Sequence, residues 1–433
     1  HSMAISAYAT DAYGNRSATV TSPVQVDTLV SNFAQTLTNT SSIKADAVLN
    51  AAEALGGLKV GGTVEAGSTV MVKLGNGAEH QATVSNGAWS YTFAPGEITA
   101  GEMHSMQITA VATDSYGNVS APITSSVLVD TQVSNFQKPA APLAGDGILN
   151  ATEAVDGLVV AGTAEVGAQV VVHMQNGIDL QTTADASGNW SVTFDTAHLP
   201  TGQGSGASRS VTVTATDLAG NVAHYDQNFA FDTVAPNDPW IIRDEGGGNQ
   251  ITGIVTETTP DITTFHMVAA TGTVIDITPS GTLNGTADIN GSSKQITRSY
   301  FDNSPVPDGS YLVVSSQDAA GNESSTLYIR STTGETTVDL SRAGLDHFDF
   351  GTINLTASHA TLTLTEAQVN ALTGPDKSMT ISGAGDDHVN LVGATDAHSS
   401  QIINGESYNL YNLGTAGASV LIDSDIIVNH TGV

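Results

Sequence analysis

Carboxylates recur along the chain in a pattern that suits a cation. The pentad Asp-x-x-Gly-Asn occurs four times at spacings of 103, 103 and 101 residues, and its copies begin at Asp11, Asp114, Asp217 and Asp318. An Asp-Thr pair follows the first three copies, at Asp27, Asp130 and Asp232. Between successive copies, a Gly-Thr-x-Glu segment contains Glu65 and Glu165. Carboxylates a few ångströms apart repel one another unless a cation neutralises them, and all-oxygen ligand sets suit Ca²⁺.

A period of about 100 residues identifies a domain repeat, because solenoid units are only about 20–50 residues long. Each period contains short alternating apolar runs separated by turn residues, such as Val70–Leu74, Trp89–Phe93, Met106–Ala112 and Ile123–Val129. About seven such runs per 100 residues predict an immunoglobulin-like β-sandwich, with the single Trp of each repeat as the largest core residue. The predicted fold is all-β, with tandem sandwiches in an elongated array and a small β-rich C-terminal domain that has one short helix.

The landmarks also predict the domain boundaries. Residues 1–28 hold the last two strands of a repeat, and His1-Ser2-Met3 resembles a cloning scar. Residues 29–131 and 132–233 are complete repeats, 234–330 is a diverged repeat, and 331–433 is the C-terminal domain. In that domain we expect strands at 361–364, 379–381, 407–413 and 420–428, and a helix over 366–373 that begins at the capping box Thr365-Glu-Ala-Gln368.

Strand direction predicts where the carboxylates meet. In a seven-stranded sandwich the second-to-third and sixth-to-seventh loops return to the end at which the chain enters, and the preceding repeat ends there. Three groups follow, namely Asp27, Glu65 and Asp114; Asp130, Glu165 and Asp217; and a weaker pair, Asp232 and Asp318. We expect one Ca²⁺ at each junction. The alternative is that the pentad is only a turn, with Asp as a cap and Gly-Asn at positive φ.

A second constellation precedes a short predicted helix in each complete repeat. Its members are Asp46, Asn50 and Glu53 in one repeat and Asp146, Asn150 and Glu153 in the next. The latter matches half of an EF-hand loop, which suggests a second Ca²⁺ per repeat. The alternative, compatible with the first, is that the asparagines are helix N-caps and the glutamates their capping-box partners.

The C-terminal segment contains two further signals. Gly383-Ala-Gly-Asp386-Asp387 nearly matches a calcium β-roll repeat, but one copy cannot build a roll, so a turn is the favoured interpretation. A group of recognition-type side chains predicts a glycan or peptide site, although the tyrosines could equally be ordinary strand residues; the group comprises Asp396, His398, Asn404, Tyr408, Asn409 and Tyr411.

Composition excludes several classes of function. There are 43 Asp and Glu against 12 Lys and Arg, a net charge of −31, which disfavours binding to nucleic acid. Without cysteine the chain has neither disulfides nor thiolate sites. No apolar run is long enough to span a membrane, and no catalytic motif is present, so we expect a monomer that is not an enzyme and does not insert into membranes.

These residues resemble a known family, the large, repetitive, type-I-secreted surface adhesins of Gram-negative bacteria, which include biofilm-associated proteins and RTX adhesins. The resemblance rests on Gly162-Thr-Ala-Glu165, Gly188-Asn-Trp190, Asp217-Leu-Ala-Gly-Asn221 and Phe231-Asp-Thr233. It covers residues 29–330, and the similarity of the C-terminal segment is looser. The family implies a Ca²⁺-stiffened stalk at the bacterial surface, with a role in biofilm cohesion or host attachment.

Two functions remain open at this point. In the first, the whole chain is an extender whose calcium ions hold successive domains in line. In the second, residues 234–433 form a recognition module, carried on extender domains, that binds surface glycans, peptides or biofilm matrix. A concave exposed site near Tyr408 would favour the second function.

Overall fold

The computed structural model describes residues 1–36, 47–246, 249–289, 291–374 and 377–431. These residues form an all-β protein of tandem immunoglobulin-like sandwiches, as the sequence predicts. The chain divides into two compact units, one comprising 1–143, 159–194 and 209–228, and the other 144–158, 195–208 and the residues after 228. No helix in the described ranges is long and apolar enough to cross a membrane.

The chain begins with an antiparallel hairpin of β1 (Ser2–Ala7) and β2 (Val20–Gln25). The register runs from Ser2 opposite Gln25 to Ala7 opposite Val20, so the residues that resemble a cloning scar take part in β1. The first pentad lies in the connection between the two strands. Almost every side chain of the hairpin is exposed, as expected for an isolated strand pair.

The first complete repeat is a two-sheet sandwich in the first unit. One sheet has the strand order β4-β11-β10-β6-β7 and the other β3-β5-β9-β8. The strands are β3 (Ala34–Thr36), β4 (Val48–Leu49), β5 (Leu58–Thr63), β6 (Thr69–Leu74), β7 (Glu79–Gln81), β8 (Thr83–Ser85), β9 (Ala88–Phe93), β10 (His104–Thr113) and β11 (Ile123–Val129). The helices are α1 (Ala51–Ala54) and a 3₁₀ turn (Pro95–Glu97).

Alternation along these strands builds the core of the first repeat. Every second residue of β10 from Met106 to Ala112 is buried, and these residues pack with Trp89 and Phe93. Gly62 opens the Gly-Thr-x-Glu segment because a Cβ there would lie 1.9 Å from the Ala34 carbonyl oxygen and 2.7 Å from Trp89 Nε1. The glycine of the motif is therefore a packing requirement of the core tryptophan.

The second complete repeat has a similar element order but in its described residues lacks a counterpart of β3 and has one strand, β15, where the first repeat has β7 and β8. Its strands are β12 (Ile148–Leu149), β13 (Leu158–Thr163), β14 (Gln169–Met174), β15 (Ile178–Thr183), β16 (Asn189–Phe194), β17 (Gln203–Thr216) and β18 (Val222–Asp232). The helices are α2 (Ala151–Asp156) and a 3₁₀ turn (Thr196–His198). Strand β14 pairs with β15 and β17, β13 pairs with β16, and β12 pairs in parallel with β18.

The diverged repeat lies in the second unit. Its strands are β19 (Ile241–Glu245), β20 (Gln250–Ile251), β21 (Gly253–Glu257), β22 (Ile262–Val268), β23 (Val274–Ile277), β24 (Gly281–Ile289), β25 (Ser292–Tyr300), β26 (Val306–Pro307) and β27 (Tyr311–Gln317). One sheet has the order β19-β21-β25-β24. The core is centred on Phe265 and Phe301, whose rings are 5.2 Å apart, whereas Trp240, expected in the core, is half-buried.

The C-terminal segment is built largely from parallel strands. The elements are β28 (Glu323–Val338), a 3₁₀ turn (Leu345–His347), β29 (Phe350–Thr365), α3 (Glu366–Leu372), β30 (Ser378–Ser382), β31 (His388–Val392), β32 (Ala394–Ile403), β33 (Glu406–Leu413), β34 (Ala418–Asp423) and β35 (Ile427–Thr431). Strand β29 pairs in parallel with β28, β30 and β31, and these stacks continue to β34 and β35.

The predicted elements of this segment are largely found. The capping box of Thr365 and Gln368 starts α3, which confirms the predicted helix. The single strand expected over 420–428 is wrong, because the chain turns at Asp423, whose carboxylate accepts the Asp425 amide, and β34 and β35 are separate. The domain boundaries stay predictions. Strand β28 runs unbroken through the predicted boundary at residue 330, and Val313 and Leu391, which lie on either side of that boundary in the sequence, belong to one hydrophobic core.

Candidate metal centres

The first carboxylate group assembles as strand direction predicts. Asp27 follows β2, Glu65 lies in the β5–β6 loop and Asp114 follows β10, and one carboxylate oxygen from each lies within 4.8 Å of the other two. Ser31 orients Glu65, since its backbone amide and hydroxyl each donate to Glu65 Oε2 at 3.0 Å. Three carboxylates from three separated segments therefore face one small volume.

The pentad turn holds Asp114 in place. Its carboxylate accepts the Tyr116 amide at 2.8 Å, the Asn118 amide at 2.9 Å and Asn118 Nδ2 at 2.7 Å. Burial alone would raise the pKa of Asp114, but these hydrogen bonds, chiefly that of the Asn118 side chain, lower it. The pentad is thus a turn capped by Asp114, as the alternative proposed, except that only Gly117 and not Asn118 has a positive φ. The turn also presents the Asp114 carboxylate to the group.

The second group has a member that the sequence did not predict. Glu102, Asp130 and Glu165 each offer an oxygen within 4.8 Å of the other two. Asp217, expected as the third member, lies beside them; the Asn221 amide donates to its Oδ1 at 2.8 Å and Asn221 Nδ2 to its Oδ2 at 2.7 Å, as Asn118 does to Asp114. Glu102 stands where we expected Asp217.

Asp130 is the most deeply buried carboxylate of the second group. Asp130 is 0% exposed, and its Oδ2 has no hydrogen-bond partner among the described residues. Burial raises the pKa of Asp130, as do the nearby charges of Asp217 and Glu102. Burial likewise raises the pKa of Glu165, together with the charges of Glu102, Asp217 and Asp130. A buried carboxylate oxygen without a donor is costly, so this donor set fits an oxygen-loving divalent cation such as Ca²⁺.

Glu102 is placed by the Asp-Thr pair. Thr131 donates its backbone amide to the Gly101 carbonyl at 2.9 Å, and its hydroxyl accepts the Gly101 amide at 2.8 Å. These bonds fix the turn before β10 next to Asp130. The sequence signal for Glu102 was the threonine that follows each aspartate. This threonine hydrogen-bonds a distant loop, which the local spacing of residues does not reveal.

The third junction lacks such a group among the described residues. Asp318 Oδ1 accepts the amides of Ala320 and Asn322, and Asp232 Oδ1 accepts the Val234 amide. Glu257, at the end of β21, forms an ion pair with Lys294 at 2.9 Å. The Glu257 carboxylate is therefore paired with a lysine. This agrees with the absence from this repeat of the Gly-Thr-x-Glu segment, which supplies a glutamate to the carboxylate group in each complete repeat.

The constellation before each short helix is a capping box. Asn50 and Asn150 accept the amides of Glu53 and Glu153 at 2.9 Å, and these glutamates accept the asparagine amides at 3.0 Å. The N-cap interpretation is confirmed. Asp146 accepts the Ile148 amide at 2.8 Å, and Asp46 lies outside the described residues. A second Ca²⁺ held by these carboxylates stays a prediction.

In the C-terminal segment Asp387 closes a corner between stacked strands. It is 0% exposed, and its two oxygens accept the amides of Ala360 and Ala384, each at 2.8 Å. The glycine-rich segment therefore forms a turn, as favoured, and its buried carboxylate binds backbone amides.

The predicted recognition group does not form one surface. Tyr408 and Tyr411 are buried, and Tyr408 Oη lies 3.1 Å from Ser382 Oγ. Asp396 lies opposite Tyr411 in the β32–β33 register, whereas His398 and Asn404 are exposed. A cavity of about 610 Å³ lies elsewhere in the second unit and is lined by Asp156, Asp238, Asp349 and Phe350, among others. Ligand binding by the predicted group stays a prediction.

The raised pKa values of Asp130 and Glu165 predict a pH dependence. A carboxyl whose folded pKa lies above its ordinary value destabilises the fold when ionised, so without metal the protein should gain stability as pH falls from neutral toward about 5. Added Ca²⁺ should stabilise less at the lower pH, because protons compete for the same oxygens. Melting temperatures at both pH values, with chelator and with Ca²⁺, test this. The variant D130N,E165Q should show both effects more weakly, because only the first group remains intact, and equal pH profiles for variant and wild type would contradict the prediction.

Comparison with known proteins agrees on the fold. A family model described as a bacterial Ig domain matches residues 147–232. A structure of a Ca²⁺-stabilized adhesin with which an Antarctic bacterium binds ice is 24% identical, covers 75% of this chain and 80% of its own, and has a TM-score of 0.33. A structure concerned with host cell surface retention of a 1.5-MDa bacterial ice-binding adhesin is 23% identical, covers 66% and 93%, and has a TM-score of 0.33.

A bacterial immunoglobulin-like domain from the M. primoryensis ice-binding adhesin is 28% identical, covers 22% of this chain and 100% of its own, and has a TM-score of 0.16. No curated protein matches the chain. The match to the bacterial Ig domain model agrees with the immunoglobulin-like fold of the second complete repeat.

Proposed function

We propose that this chain is a calcium-rigidified segment of a bacterial cell-surface adhesin, which acts outside the cell in biofilm cohesion or host attachment. The observation that carries the proposal is the group of Glu102, Asp130 and Glu165, in which a fully buried carboxylate oxygen has no donor among the described residues. The repetitive sandwiches and the acidic composition support the same function.

The two carboxylate groups give the proposal a mechanism. In each, one aspartate ends a repeat and one glutamate belongs to the repeat that follows, as with Asp27 and Glu65 or Asp130 and Glu165. Bound Ca²⁺ would supply the positive charge that these carboxylates need and would take ligands from both repeats. Asp27, Glu65 and Asp114 would hold one ion, and Glu102, Asp130 and Glu165 a second.

Without a cation the same carboxylates destabilise the contact between successive repeats. Like charges a few ångströms apart repel, and burial of Asp130 adds a desolvation cost. The repeats should then be held by fewer contacts, and the angle between them should be less tightly fixed. Such acidic residues would weaken the contact between repeats in low calcium and stiffen it in millimolar extracellular calcium. That behaviour would suit a chain that is secreted before it becomes rigid.

Small-angle scattering tests the mechanical role. In Ca²⁺ the full chain should give a narrow pair-distance distribution with a larger maximum dimension, and chelation should shorten and broaden it, because fewer joints are fixed. The variant D130N,E165Q should respond less, since only the first group remains intact. Identical distributions with Ca²⁺ and with chelator would refute the extender function.

A further inference from the structure

The last residue of the pentad contacts the preceding repeat. The Ala51 amide donates to Asn221 Oδ1 at 2.8 Å, and Asn50 Nδ2 donates to the Ala219 carbonyl at 2.9 Å. Asn50 and Asn221 are 2% and 5% exposed, so water cannot replace these bonds without opening the contact. Two residues from the Asn-Ala segment that begins α1 thus meet the pentad loop of the next repeat.

The orientation of the Asn221 amide is dictated by its partners. Its Nδ2 donates to Asp217 Oδ2 at 2.7 Å and to the Asp130 carbonyl at 3.0 Å, while its Oδ1 accepts from Ala51. A rotated amide would place N–H groups against the Ala51 amide and an oxygen against two acceptors. The side chain therefore uses both of its N–H donors and its oxygen, and it joins three segments of the chain.

The same contact occurs where no three-carboxylate group forms among the described residues. The Ala151 amide donates to Asn322 Oδ1 at 2.8 Å. Asn322 Nδ2 donates to the Asp232 carbonyl at 3.0 Å and to Asp318 Oδ2 at 2.9 Å, and Asn322 is also 5% exposed. Because the arrangement repeats without the carboxylate group, it does not need a cation.

These hydrogen bonds also supply an acceptor for the first amide of each short helix. The first amides of a helix have no acceptor within it, and the Asn50 side chain accepts only the Glu53 amide. Asn221 supplies the acceptor for Ala51, and Asn322 supplies it for Ala151. A half-buried amide that loses its acceptor would weaken the helix start, so each Asn-Ala segment depends on the pentad loop that covers it.

We propose that the pentad asparagine is the recognition residue of a metal-independent joint between successive repeats. Asn221 and Asn322 bind the Asn-Ala segments at Asn50-Ala51 and Asn150-Ala151, and the partner that the pentad loop fits is a neighbouring repeat with such a segment. This joint does not rest on calcium binding, and it persists at the third junction without a carboxylate group.

Hydrogen exchange of the full chain, followed by mass spectrometry, tests the proposal. In N221A the exchange of the Ala51 amide should rise about tenfold, the effect of losing roughly one hydrogen bond, both in Ca²⁺ and in chelator. N322A should do the same at Ala151 and leave Ala51 protected. N118A is the matched control, since it removes a pentad asparagine whose side chain bonds Asp114.

A second variant approaches the contact from the other side. A51P removes the donor, and proline is tolerated at the first position of a helix. The destabilisation caused by N221A and A51P together should fall short of the sum of the single effects, because both remove the same bond. Additive effects, unchanged Ala51 exchange in N221A, or loss of Ala51 protection in the wild type on chelation would each overturn the proposal.

Discussion

Asp130→Asn is expected to remove a large part of the calcium-dependent stability of the protein. A ligand present at a hundred times its Kd stabilises the folded state by about 2.7 kcal/mol, and loss of the negative charge of Asp130 and of one carboxylate oxygen should abolish that gain at the second group. In chelator the sign reverses, because asparagine takes away a buried charge that burial, Asp217 and Glu102 disfavour. D130N should therefore be at least as stable as the wild type without Ca²⁺ and clearly less stable with it.

Melting temperatures of wild type and variant, with Ca²⁺ and with chelator, give this comparison directly. Asp226→Asn is the charge-matched control, because Asp226 is an exposed residue of β18 whose carboxylate bonds the Thr212 hydroxyl. D226N should keep the full calcium response. If D130N keeps it as well, or if D130N is destabilised equally under both conditions, Asp130 has a structural role and the second group does not bind calcium.

Trp89→Ala is expected to cost the first complete repeat about 3–5 kcal/mol, the range for removal of a buried tryptophan. Trp89 is 2% exposed, packs near Phe33, and donates its Nε1 to the Ala34 carbonyl at 3.1 Å. A loss of this size is a large fraction of the stability of one domain. Hydrogen exchange of β9 and β10 measures the loss within that repeat, separately from the others.

The second repeat provides a matched comparison. Trp190 is 4% exposed, but its Nε1 has no hydrogen-bond partner among the described residues. Trp→Phe removes similar volume at both sites and a hydrogen bond only at Trp89, so W89F should cost about 1 kcal/mol more than W190F. Equal costs would show that the Trp89 bond contributes nothing beyond packing.

Much of the site was predictable because repeat spacing and strand direction are long-range information. They were sufficient to place Asp27, Glu65 and Asp114 together, and the capping boxes of Asn50 and Asn150 could be read from four residues each. Glu102 could not be found in this way. Its position depends on the two hydrogen bonds between Gly101 and Thr131, which join segments 30 residues apart.

The C-terminal segment shows a second limit. Alternating residues locate a strand but do not give the direction of its partner, so the parallel pairing of β29 with β30 and β31 was not foreseen. The same ambiguity left open whether Tyr408 and Tyr411 face solvent or the core, and both are buried. For the pentad, the turn could be predicted, but its contact with the preceding helix could not.

Anomalous diffraction from crystals grown in Ca²⁺ would locate calcium at the junctions. One peak is expected within about 2.3–2.6 Å of oxygens from Glu102, Asp130 and Glu165, and another at Asp27, Glu65 and Asp114. The first peak should vanish in D130N, while the second remains. A map from well-ordered crystals with no peak at either group would contradict the claim that calcium fixes these junctions.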